Sequence, residues 1–188
     1  MAFDVEIFKS DLKNLDSIQM YRKFVLNESC CILNSDQHYQ LRDSLSNKFK
    51  VEFTDVVVVG STKLGFSIKK EKMYVAFGET SDIDVAIVST SLFEMIWREA
   101  YLYKKSGVDW PNSGAFFEYL AKGWIRPDKL PKSNLFSFTN TWWDYFNELT
   151  NSQKFGPYPI RAGLYHSHFF LKEYQIVNIE RCIRGIEI

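Results

Sequence analysis

The sequence predicts an α+β fold, a mixed central sheet with flanking helices. Two apolar runs of strand length, Val56-Val57-Val58-Val59 and Ile83-Asp84-Val85-Ala86-Ile87-Val88, lie between segments with apolar residues at helical spacing. Glycine and proline punctuate the chain without marking a clean linker, so its 188 residues are expected to form one domain, 1–188.

In chain order, Phe3, Ile7, Phe8, Leu12 and Leu15 predict a first amphipathic helix. Ser35 suits the cap of a second, carrying Leu41, Leu45 and Phe49. The unalternated valine run that follows predicts a strand buried on both faces or central in its sheet. Gly65, the charged Lys69-Lys70-Glu71-Lys72 and the apolar Met73 to Phe77 read as a strand or hairpin ending at Gly78. After the Ile83 to Val88 strand, Ser89-Thr90-Ser91 suits the start of a helix through Leu92, Met95, Ile96, Trp97 and Tyr103. The second half is aromatic-rich: a helical piece near Ala115 to Trp124, breakers at Pro127 and Pro131, and a strand over Leu135 to Thr139. One more helix is expected after Thr141, through Trp143, Phe146 and Leu149, and a last one over Ser167 to Ile183.

Composition narrows the partners. Basic and acidic residues balance at 23 each, so no global field draws the chain to nucleic acid or an anionic membrane, and a polynucleotide would need a local patch. No stretch approaches the ~18 apolar residues of a membrane span, and Met1-Ala2-Phe3-Asp4 lacks the features of a secretory signal, so the expected location is cytoplasmic. Cys30, Cys31 and Cys182 have neither disulfide-framework nor zinc spacing and are expected to be reduced thiols.

The chemistry concentrates in two places. Side chains alternate along a strand, so Asp82 and Asp84 share one face and can share a hard cation. Magnesium, with manganese as its substitute, suits them because it takes one or two carboxylates, several waters and phosphate oxygens. Upstream, Gly60-Ser61 ends the valine strand. The glycine permits close backbone approach, the amides beyond it can receive a phosphate, and Ser61 adds a hydroxyl. The Lys69, Lys70 and Lys72 run reads first as a solvated hairpin tip, and His166 and His168, two apart, face different directions rather than one metal.

This combination, an apolar strand into Gly60-Ser61 and then Asp82-x-Asp84 on a following strand, resembles the DNA polymerase β-like nucleotidyltransferase superfamily, in a minimal form. Gly60-Ser61-Thr62-Lys63-Leu64-Gly65-Phe66-Ser67 looks like the version in its cyclic-dinucleotide and oligoadenylate branches. The match spans Asp55 to Val88. The resemblance implies a nucleotidyltransferase-like core, with Gly60, Ser61 and Lys63 binding a nucleoside triphosphate such as ATP and Asp82 and Asp84 holding Mg2+ or Mn2+. It also implies transfer of a nucleoside monophosphate to a hydroxyl acceptor, whether on a nucleotide, an RNA end, a small molecule or a protein. Active members carry a third carboxylate on a later strand; here Asp144 is the candidate, followed by Asp109, Glu118 and Asp128. Without one, the alternative is a catalytically weak module that binds a nucleotide or a protein partner, as in toxin–antitoxin or antiviral systems. A third reading is an interaction protein using its aromatic second half.

Overall fold

The computed structural model describes residues 4–186, an α+β arrangement of one four-stranded mixed sheet flanked by helices. Phe3, expected on the first helix, lies outside the described residues. That helix is divided: α1 runs Val5–Leu12 and α2 Ser17–Phe24, because Asp16 accepts from the Gln19 amide while the Gln19 side chain accepts from the Asp16 amide, a reciprocal cap that starts a new helix. Helix α3 runs Ser35–Phe49, and its cap is Asn34, one residue before the expected serine.

Strand β1 is Val56–Val59 and leads directly into the five-residue helix α4, Gly60–Leu64. Strand β2 is Ile83–Val88, followed by α5 over Thr90–Lys105, whose Ser89 cap accepts from the Leu92 amide at 3.2 Å. Then come α6 (Ser113–Leu120), β3 (Trp124–Ile125), α7 (Ser137–Asn151), β4 (Ile160–Tyr165) and α8 (His168–Ile186).

The spatial order is β1-β2-β4-β3, with β1 antiparallel to β2, β2 parallel to β4, and β3 antiparallel to β4. Val58 lies opposite Val85, so the two recognisable strands are neighbours.

Two expectations are narrowed to one of their alternatives and a third is corrected. The valine strand is at the sheet edge rather than its centre; it lacks alternation because helices bury it on both faces. Met73 to Phe77 forms no strand, only a Phe66–Ala76 bridge in an irregular hairpin closed by the Ser67 amide on the Val75 carbonyl at 2.9 Å. Leu135 to Thr139 is no strand either: α7 begins at Ser137 and turns Thr139, Trp142 and Phe146 inward at helical spacing.

Alternation along the strands divides the core in two. Val58, Ile83, Val85, Ile87, Ile160 and Leu164 face α3, α5, α6 and α7, while Val59, Ala86, Val88 and Tyr165 face α1, α2 and α8.

Buried beneath this architecture is His38, 8% exposed, whose pKa is lowered to about 4 by burial, with Arg42 and Lys63 adding to the effect. Unfolding returns it to the ordinary 6.5, so the unfolded chain binds the proton first as pH falls. Stability is expected to be complete above pH 6.5 and to drop by about 2–3 kcal/mol on acidification to pH 4. Urea midpoints at several pH values for wild type and His38→Gln check this; the variant should lose that share of the pH dependence.

Candidate active site

The site is built by two backbone turns meeting at one edge of the sheet. Val59 lies opposite Asp84 across the β1–β2 pair, so the chain leaves β1 beside the aspartate strand. Gly60 then takes φ +68, a left-handed conformation that turns the chain into α4, and an added Cβ there would lie 2.7 Å from Asp84 Oδ2. Only glycine lets the turn sit against the carboxylate.

Thr62, fully buried, fastens the two halves together. Its hydroxyl donates to the Asp82 carbonyl at 3.0 Å and accepts from the Asp84 amide at 3.2 Å. From behind, the amides of Cys31 and Ile32 donate to the Lys63 and Thr62 carbonyls, closing the end of α4. Thr62→Val keeps the shape but removes both hydroxyl contacts and leaves the Asp84 amide without its partner. We expect a loss of about 1–3 kcal/mol, read as a lower urea midpoint at unchanged slope.

Asp82, Asp84, Gly60 and Ser61 line one cleft of about 1010 Å³. Burial raises the Asp84 carboxyl above the ordinary range; the Asp82 charge adds to this and Lys69 opposes it. Two cations stand at the rim, Lys69 Nζ at 4.0 Å from Asp84 Oδ2 and Arg161 Nε at 4.0 Å from Asp82 Oδ1. Arg161 pairs in register with Asp84 on the neighbouring strand, and its guanidinium lies 5.5 Å from the ring centre of Trp143. The oxygen-only donor pair, recessed and with a side-chain-free neighbour at Gly60, fits a hard divalent cation.

Lys63 is corrected. It is 2% exposed, does not line the cleft, and its ammonium donates to the Asn27 carbonyl; burial lowers its pKa. The helical turn of α4 directs it away from the face that Gly60 presents, so it supports the loop behind the site.

Asp144 is corrected as well. It is exposed in the middle of α7, outside the cleft, because that helix turns Trp142 and Phe146 into the core and leaves Asp144 facing out. Asp144→Ala is expected to change stability by less than about 0.5 kcal/mol and to leave any turnover unchanged, checked by thermal unfolding and a pyrophosphate-release assay.

Asp109 and Glu118 are also exposed and outside the cleft. Asp128 does reach it, but although burial would raise its carboxyl, hydrogen bonds from Arg126 at 3.0 and 3.1 Å and the contact with Lys129 at 3.2 Å hold it below the ordinary range. Among the described residues, no three carboxylate, histidine or cysteine side chains converge on one point. His166 and His168 point apart, toward Glu94 and Asp55 respectively.

Sequence reasoning missed Thr62, Arg161, Arg126 and Trp124. The one available signal was Thr62, a polar residue following Gly-Ser; Arg161 belongs to a strand that the Gly-Pro-rich approach concealed. Among the described residues, no helix is long and apolar enough to cross a membrane. Set against known protein families, curated proteins and solved structures, the chain matches none of them.

Proposed function

We propose that this protein has a nucleotidyltransferase-like core and binds a nucleoside triphosphate with magnesium or manganese, transferring the nucleoside monophosphate to a hydroxyl acceptor. The observation that carries this reading is the 2.7 Å approach of a Gly60 Cβ position to Asp84 Oδ2, which makes the Gly60-Ser61 turn and the Asp82–Asp84 pair walls of one cleft. Asp82 and Asp84 hold the cation, which screens the charge developing on the phosphates. The Gly60-Ser61 amides and the Ser61 hydroxyl receive the terminal phosphates, with Lys69 and Arg161 within reach of the outer oxygens. The acceptor oxygen bonds to the α-phosphorus, the bond from the α-phosphorus to the bridging oxygen breaks, and pyrophosphate leaves with that electron pair. The hydroxyl proton passes to solvent, since Asp128 is held by Arg126 and Lys129.

A second reading rests on Arg161. A guanidinium stands opposite Asp84, on the strand where a third carboxylate would complete an acid–base set, and this favours a module that binds nucleotide without efficient turnover. Incubating purified protein with each labelled triphosphate and Mg2+ or Mn2+ separates the two. Pyrophosphate release with label transfer supports the transferase, metal-dependent binding without release supports the module, and absence of binding defeats both.

A further inference from the structure

The cleft extends well beyond the carboxylates. From Arg161 it follows the same face of β4 past Gly163 to Tyr165, four residue steps or about 13 Å, and α8 lines it with Tyr174 and Gln175. Phosphates at Gly60-Ser61 would leave the rest of a nucleotide directed along this run.

Its far end is built from planar rings. Trp124 and Tyr165 are stacked at 5.6 Å and 3°, and Tyr174 meets the same indole at 4.7 Å and 53°. The indole sits over bare backbone, since a Cβ on Gly163 would fall 2.5 Å from Trp124 Nε1, and that buried N–H has no hydrogen-bond partner among the described residues. The indole therefore contributes ring surface rather than a hydrogen bond.

Gln175 contributes the polarity. It is 5% exposed, lines the cleft, and its amide makes no hydrogen bond to another described residue. Asn178, one turn further on, is committed: its amide donates to the Tyr174 carbonyl and its oxygen accepts from Arg181. An amide on the cleft wall with no such bond has its donor and its acceptor free for a ligand.

We infer that this end of the cleft is a nucleobase pocket, in which the Trp124–Tyr174 wall packs against the base and the Gln175 amide reads an adenine edge. An amide presents one donor beside one acceptor, the complement of adenine N6 and N7. The pocket rests on the triphosphate reading above, because the phosphates set the direction in which the base lies.

The test is calorimetric titration of wild type, Gln175→Leu and Gln175→Glu with magnesium complexes of ATP, GTP, CTP, UTP and inorganic tripolyphosphate, and with adenosine alone. ATP should bind most tightly, at least about tenfold tighter than tripolyphosphate, and both variants should lose about that factor for ATP while keeping tripolyphosphate affinity. Thermal unfolding of each variant establishes that it is folded, and either folded variant suffices. Equal affinity for ATP and tripolyphosphate, preference for another base, or ATP binding unchanged in a folded variant overturns the pocket and leaves the phosphate site standing. Adenosine binding without any tripolyphosphate binding upholds the pocket and overturns the phosphate site; no binding of any ligand overturns both.

Discussion

Gly60→Ala will cost about 1–3 kcal/mol of stability, the range for a non-glycine residue held in the left-handed region, and will abolish triphosphate binding. Two causes act together. The backbone at φ +68 suits glycine, and the new methyl would meet Asp84 Oδ2 at 2.7 Å, well inside contact distance. The carboxylate must move or the turn must open, and either separates the Gly60-Ser61 turn from the Asp82–Asp84 pair. Urea unfolding should show a lower midpoint at unchanged slope, and calorimetry should show no magnesium-dependent binding of ATP. Gly114→Ala, on α6 outside the cleft, is the control: its Cβ position meets nothing within 4 Å, so affinity should be retained. Retained affinity in Gly60→Ala would remove the coupling between turn and carboxylates on which the proposed function depends.

Asp82→Asn combined with Asp84→Asn is expected to eliminate metal-dependent nucleotide binding while raising the stability of the metal-free protein at neutral pH. Asp84 carries a raised pKa from burial, reinforced by Asp82, so the native state binds its proton more readily than the unfolded chain. Such a group favours the native state at low pH, and that advantage is lost as pH rises from the ordinary carboxylate range through the raised value. Neutral asparagines remove the penalty and the mutual repulsion. They also release Lys69 and Arg161 from their carboxylate partners, which offsets part of the gain, though exposed pairs at 4.0 Å contribute little. Thermal unfolding in EDTA should show the double variant at or above the wild-type midpoint. In wild type, added magnesium should raise the midpoint, less so as pH falls through the Asp84 titration; in the variant it should have no effect. A variant that binds ATP and magnesium like wild type would refute the metal assignment.

What could be read from the chain alone was what short-range chemistry dictates. Val56 to Val59 and Ile83 to Val88 have no plausible element other than a buried strand, the Ser89 cap announces α5, and Gly60-Ser61 with Asp82-x-Asp84 announces paired polar functions on adjacent apolar elements. That these two strands are neighbours was expected, whereas the register that sets Val59 against Asp84 comes from the structure. Local pattern failed where the determining contacts are remote in sequence. Ile160–Tyr165 contains Arg161 and Gly163 and follows a proline-rich approach, so it lacks a strand signature and becomes β4 only because β2 on one side and β3 on the other supply its ladders. That placement brings Arg161 opposite Asp84 and Gly163 beneath Trp124. Direction was also hidden: one residue along a helix turns a side chain by about 100°, so Lys63, three positions after Gly60, points into the core and Asp144, beside the cleft-lining Trp143, points to solvent. Residue types at short spacing therefore determined that a polar site exists and which two segments form it. The tertiary packing of β4 and α8 decided which guanidinium faces the carboxylates and where the cleft leads, because those neighbours are set by pairing and burial across more than seventy residues of chain, while the turns of α4 and α7 decided that Lys63 and Asp144 are excluded.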